Sequence, residues 1–196
     1  MVRALGLPLT LGLPVGGAQP QIIYIIHTMG DTMEMQSLRD LMVDELKDLY
    51  SAENQILKAL PKMIKKATSP DLKQGFEKHL RETQGHVERL EKIFTELDAS
   101  PRGKKCKGME GVIADGKELM EEGAEPEVMD AGLIGAAQHV EHYEMAGYGC
   151  VRTYAELLGL DNIARLLQKT LDEEKATDEK LTELARNINV EAEKAA

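Results

Sequence analysis

Aromatic residues are scarce in this sequence, which has no tryptophan, two phenylalanines and five tyrosines in 196 residues. Leucine, alanine, methionine, glutamate and lysine abound instead, and such residues lose little freedom in a helix. Cysteine is nearly absent too. Cys106 and Cys150 lie far apart and match no zinc spacing, so a thiolate zinc site is excluded and no disulfide is signalled. They read as free thiols in a reducing compartment, and a cytoplasmic location is expected. Basic residues are in deficit, 24 against 34 acidic, for a formal net charge of -10. Such a chain is a poor generic binder of nucleic acid or anionic membranes, but it suits the collection of cations. No uninterrupted apolar run reaches the ~18 residues that a membrane-spanning helix needs. The length suits one domain with a sizeable core.

Residues 1–34 differ from the rest. Their Leu and Ile runs are broken by Pro8, Pro14, Pro20 and several glycines. Arg3, an apolar run and Gly16-Gly17-Ala18 have the outline of a secretory signal, but two prolines interrupt the apolar part. The preferred reading is a disordered N-terminal extension, or a true start at Met29, Met33 or Met35. An all-α domain is expected over residues 35–190.

Four long segments there carry apolar residues at spacings of three and four. The first, about Gln36 to Lys66, holds Leu38, Met42, Leu46, Leu49, Ile56, Leu60 and Ile64 in register. Pro61 is expected to kink or end it. The second, Pro70 to Leu97, follows a Ser69 cap and holds Leu72, Phe76, His79, His86, Leu90 and Ile93. The third, Pro126 to Gly159, holds Ile134, Ala137, Tyr148, Val151, Ala155 and Leu158. The fourth, from Asp161 as the expected N-cap to Ile188, holds Ile163, Leu167, Thr170, Leu181, Leu184 and Ile188, with fraying after Val190. A shorter helix, about Gly108 to Glu122, connects the second and third. Two helical hairpins joined by a helical crossover define a ferritin-like four-helix bundle.

Each long stripe is interrupted by carboxylates. They are Glu53 in the first, Glu82 with His86 in the second, Glu141 and Glu144 in the third, and Glu174 and Asp178 in the fourth. Helical residues three or four apart share a face, so each pair can serve one site. Six converging acids cannot all stay ionised in a dry core without added positive charge. Two metal ions would supply it, and oxygen-rich donors suit iron or manganese. Any one of these acids taken alone reads better as the solvated edge of its stripe; recurrence near the middle of four helices carries the metal reading. Glu45, Glu77, Glu91, Glu156, Glu173 and Glu183 read as solvated face. His79 reads as support behind the donors or as a core-edge histidine, and His139 and His142 as surface or supporting residues rather than ligands. Tyr148, four after Glu144, is the candidate catalytic residue. Its roles are packing, donation to a carboxylate, or carriage of an oxidising equivalent. Lys104, Lys105 and Lys107 beside Cys106 read as a solvated turn, although close lysines would lower that thiol's pKa.

The stretches LYSAENQ (49–55), ETQGHVERL (82–90), QHVEHYEMAGYG (138–149) and LDEEKATDEKL (171–181) resemble, in this order, the YciE/YciF family. That is a ferritin-like group associated with bacterial stress responses and described as candidate ferroxidases. The resemblance covers about Glu34 to Asn189. Glu53, Glu82, Glu141, Glu144 and Glu174 also match positions of the wider rubrerythrin pattern. Two departures from that pattern are His86, at i+4 rather than i+3 from Glu82, and Asp178, where those relatives carry histidine. The resemblance implies a di-iron site that oxidises Fe(II) with dioxygen or hydrogen peroxide. Glu82 and Glu174 would bridge, and Glu53, His86, Glu141, Glu144 and Asp178 would be terminal ligands or ligands that switch binding mode. A dimanganese catalase and a non-catalytic metal-binding stress scaffold are the alternatives. No cage-forming surface is recognisable, so a homodimer or monomer is expected rather than a hollow shell.

Overall fold

The computed structural model describes residues 35–195, so the N-terminal extension read at 1–34 lies outside the described residues. All five elements among them are helices: α1 (Leu38–Lys66), α2 (Pro70–Glu96), α3 (Lys107–Glu121), α4 (Pro126–Leu157) and α5 (Asp161–Lys194). The all-α expectation holds, with α1, α2, α4 and α5 as the bundle. Around it, α1 packs on α2 and α4, and α5 packs on α4 and α2. The crossover helix α3 lies against α4 and α1. No helix among the described residues is long and apolar enough to cross a membrane.

Local chemistry sets the helix ends. Ser37 caps α1, its hydroxyl accepting from the Asp40 amide at 3.1 Å. Ser69 caps α2 from a β-region backbone, with Pro70 in the first turn, where its missing N–H costs nothing. Pro61 does not end α1, which continues to Lys66. It sits on the exposed side, where water can reach the carbonyl that loses its amide partner. The last helix also outruns its pattern, reaching Lys194. Asp130 is buried at the start of α4 and accepts from the Thr68 amide (2.8 Å), the Thr68 hydroxyl (2.6 Å) and the Ser69 amide (2.7 Å). It thereby fastens the α1–α2 turn to the second hairpin.

The turn before α3 is tightly held. Lys104 Nζ reaches Asp44 at 2.6 Å and Asp48 at 3.6 Å, so it is not a free solvated lysine. Cys106 is buried and caps α3, with Sγ accepting from the Met109 amide at 3.3 Å. Burial and the Asp48 carboxylate push its thiol up, so the nearby lysines do not activate it. Gly108 is required by close approach: a Cβ there would lie 2.6 Å from the Tyr143 ring. Cys150 is exposed, and both thiols are free.

The core falls into two apolar bodies. One gathers Ile56, Leu60, Phe76, Leu133, Ile134 and Leu181. The other gathers Met42, Leu46, Leu90, Phe94, Val151 and Leu167. Between them, at mid-bundle, lies a buried polar layer contributed by all four bundle helices.

Candidate metal centre

The layer contains Glu53 from α1, His79, Thr83 and His86 from α2, Glu141 and Glu144 from α4, and Thr170 and Glu174 from α5, all buried. Two groups of potential metal donors form within it. In each, one donor atom per residue lies within 4.8 Å of every other. The first comprises Glu53, His86 and Glu174; the second comprises His79, Glu141, Glu144 and Glu174. His86 Nδ1 stands 3.3 Å from Glu53 Oε1 and 3.0 Å from Glu174 Oε1. His79 Nε2 stands 3.2 Å from Glu141 Oε1, and His79 Nδ1 3.9 Å from Glu174 Oε2. Glu174 thus turns one oxygen to each group.

Five of the seven residues expected as ligands from sequence come together here: Glu53, His86, Glu141, Glu144 and Glu174. Glu82 and Asp178 fall outside both groups. Glu82 is 22 % exposed and pairs with Lys78 at 2.6 Å. Asp178 is 21 % exposed and lies 3.3 Å from His142 Nε2, and it accepts from Gln138 Nε2 at 3.1 Å. His79 enters in their stead. The sequence carries a signal for it: Leu72, Phe76, His79, Thr83, His86, Leu90 and Ile93 alternate spacings of four and three without a break. This stripe runs through Thr83 and leaves Glu82 at its margin. The donor set is therefore four carboxylates and two imidazoles. That composition matches ferritin-like di-iron and di-manganese bundles, although here α2 supplies both imidazoles.

Supporting contacts orient the layer. His86 Nε2 lies 3.0 Å from Glu173 Oε2, which also accepts from Arg89 Nη2 at 3.0 Å. Glu173 is therefore only partly solvated, and it backs the buried imidazole as carboxylates behind metal-binding histidines do. Arg89 Nη1 also donates a short bond to the Thr170 hydroxyl. His79 Nδ1 lies 3.5 Å from the Thr177 hydroxyl, leaving Nε2 toward Glu141. Tyr148 is fully buried, and its hydroxyl donates a short bond to Glu53 Oε1.

Without metal the layer is electrostatically awkward. Burial, with the charges of neighbouring carboxylates, pushes Glu141 and Glu144 well above the usual carboxylate range. Burial also raises Glu174, though His86 opposes it. Burial would lower His86, but hydrogen bonds and charges from Glu174 and Glu53 outweigh it and push the imidazole up to about 10. Burial and the positive charge of His86 bring His79 down to about 3; Glu141 beside it, when neutral, lends it no charge. Burial and the charges of Glu53 and Glu144 raise Tyr148 well above its ordinary value.

The residues fit a pair of divalent cations. Ten buried side-chain nitrogens and oxygens among the described residues lack a well-aligned hydrogen bond, and eight belong to the six donors Glu53, His79, His86, Glu141, Glu144 and Glu174. Buried polar atoms are rarely left so, and two dications balance four carboxylates.

The fold and this layer define a ferritin-like bundle with two clustered donor groups. The chain belongs to the YciE/YciF family: residues 37–194 match the family model described as a domain of unknown function, DUF892. Protein YciF of Escherichia coli strain K12 is 45 % identical over 166 residues, spanning 84 % of this chain and 100 % of that protein. The crystal structure of the E. coli stress protein YciF matches with a TM-score of 0.76 at 45 % identity, over 79 % of this chain and 98 % of that one. A ferritin-like, diiron-carboxylate protein from Bacillus anthracis shares the fold, with a TM-score of 0.61 at 16 % identity, over 77 % of this chain and 99 % of that one.

Proposed function

We propose that the buried layer is a di-iron centre at which Fe(II) is oxidised by hydrogen peroxide or dioxygen, in the service of a stress response. The observation that carries this reading is the four-carboxylate, two-imidazole set divided into two groups that share Glu174. The descriptions of the E. coli relative as a stress protein and of the B. anthracis protein as diiron-carboxylate agree with it.

Glu53 and His86 would hold one ion, His79, Glu141 and Glu144 the other, and Glu174 would bridge them. A bound metal pair would supply binding and polarisation of the oxidant and a path for its electrons. The overall reaction balances when two Fe(II) each give one electron, and either one hydrogen peroxide with two protons becomes two waters or one dioxygen with two protons becomes hydrogen peroxide. Glu173 would keep the proton of His86 on Nε2 and leave Nδ1 free for metal. Tyr148 would fix the orientation of Glu53 through its hydroxyl.

Protein purified without added metal should contain iron by elemental analysis. It should also oxidise Fe(II) faster than buffer alone. The double variant Glu53→Ala/Glu174→Ala should lose both properties; retention of both rejects the assignment. Manganese with oxygen release from peroxide would identify a catalase instead, and bound metal without turnover would identify a metal-binding scaffold.

A further inference from the structure

Beside the polar layer, a cavity of about 330 Å³ opens between α1, α3 and α4. Ile56, Leu60, Met63, Ile113, Met120 and Val140 give it apolar walls. Among the described residues the only ring in its lining is the imidazole of His79, so a planar aromatic ligand would find little to stack on. Its size lies near the lower end of the roughly 300–1,000 Å³ of small-molecule sites, more than dioxygen or peroxide needs. Two buried polar side chains of the second donor group, His79 and Glu141, also line it, and His79 Nε2 and Glu141 Oε2 lack well-aligned partners. Lys58, Lys62 and Lys117 contribute as well, with a second acid, Glu110. Glu110 is engaged by Lys105, and Lys117 lies 3.4 Å from Glu121. Lys58 and Lys62 are exposed and make no ion pair among the described residues.

We propose that this cavity binds an aliphatic chain with an anionic head group. The chain lies between α1, α3 and α4, the head rests against Lys58 and Lys62, and the far end of the chain meets His79 and Glu141. The apolar walls select the chain, and the two unpaired lysines select the charge. The proposal rests on the di-metal reading only for what the inner end meets, since binding itself needs no metal.

The test is calorimetric titration of metal-free, full-length protein with decanoate, with decanol and acetate as controls. Decanoate should bind saturably at one site, decanol about tenfold more weakly, and acetate not measurably. Lys58→Gln/Lys62→Gln should weaken decanoate about tenfold and leave decanol unchanged. Ala59→Phe on α1 and Val112→Phe on α3 fill the cavity from two different helices, and each, where circular dichroism shows it folded, should weaken both ligands by at least about tenfold. The ring NMR signals of His79 should shift on decanoate binding, and more than those of His86. The proposal is overturned if decanoate does not saturate, if decanol binds equally well, or if a folded, filled variant binds normally. It is likewise overturned if His79 stays silent. Loss of iron oxidation in the metal-loaded protein would bear on the function proposed above and not on this binding.

Discussion

At Glu174 one carboxylate faces both donor groups, 3.0 Å from His86 on one side and 3.9 Å from His79 on the other. That position makes His79, rather than Glu82, the residue that completes the second group. The two differ in a way that metal counting can read. His79→Ala is expected to lower bound metal from about two ions per chain toward one, whereas Glu82→Ala keeps about two, because Glu82 already has Lys78. Elemental analysis after gel filtration measures both, and a loss confined to Glu82→Ala would reject the assignment. Behind His86, Glu173 acts by position. Its removal leaves the imidazole without the acceptor that fixes its tautomer, so Glu173→Ala should weaken metal binding about 10- to 100-fold. Glu173→Gln, which keeps an acceptor oxygen, should lose less. Competition against a metal-responsive dye separates the two variants, and equal affinities for wild type and Glu173→Ala would refute the positioning role.

The hairpin connections carry predictions of their own. Asp130 satisfies two backbone amides and a hydroxyl of the α1–α2 turn from a buried site on α4. Asp130→Ala leaves those donors unpaired and should cost about 3 kcal/mol in urea unfolding of the metal-free protein. Asp130→Asn, which preserves one acceptor, should cost about half as much; a loss below about 1 kcal/mol would show the anchor to be dispensable. Helix starts were partly legible in the sequence. Ser37 was not legible as a cap, and Asp161, expected to cap the last helix, is instead its first residue, with no side chain capping it. Ser69, Pro70 and Pro126 were legible because they act on their immediate neighbours. Gly159 is similar: it adopts φ 69 after α4, and the Leu160 amide returns to Ala155 O at 2.9 Å. Asp98 makes the same turn after α2 at φ 52, which its identity does not announce. Most of the donor layer was legible too, since mid-helix acids on apolar stripes repeat. The remainder depended on partners across the bundle. Glu82 and Thr83 both lie three or four residues from His79 and His86; the strict four-three alternation favours Thr83, and packing, which buries Thr83, decides for it. Asp178 turns to His142 and Gln138 of α4, contacts that no pattern within α5 contains.

Across the whole molecule, the polar layer separates two apolar bodies, so its protonation is felt in global stability. In the metal-free protein Glu141 and Glu144 titrate well above 4.5, and His86 near 10. Each holds its proton more tightly in the fold than in the unfolded chain. Their stabilising contribution is complete below the unfolded values, about 4.5 for the acids and 6.5 for His86, and it is lost as pH rises through the folded ones. His79 acts in the opposite sense, since its value falls to about 3, but its effect is complete by about pH 6.5 and adds no slope above that. Between pH 7 and 9, therefore, the melting temperature of metal-free protein should fall with pH, by about 2–4 °C for each kcal/mol lost in a chain of this size. Metal binding reverses the dependence. Ions displace the protons from His86, Glu141 and Glu144, so loading near pH 7 should acidify a weakly buffered solution, and affinity should rise with pH. Scanning calorimetry of both forms over this window should then show their melting temperatures diverging as pH rises. If the metal-free protein instead grows more stable from pH 7 to 9, or loading releases no protons, the layer does not bind metal at the expense of those protons.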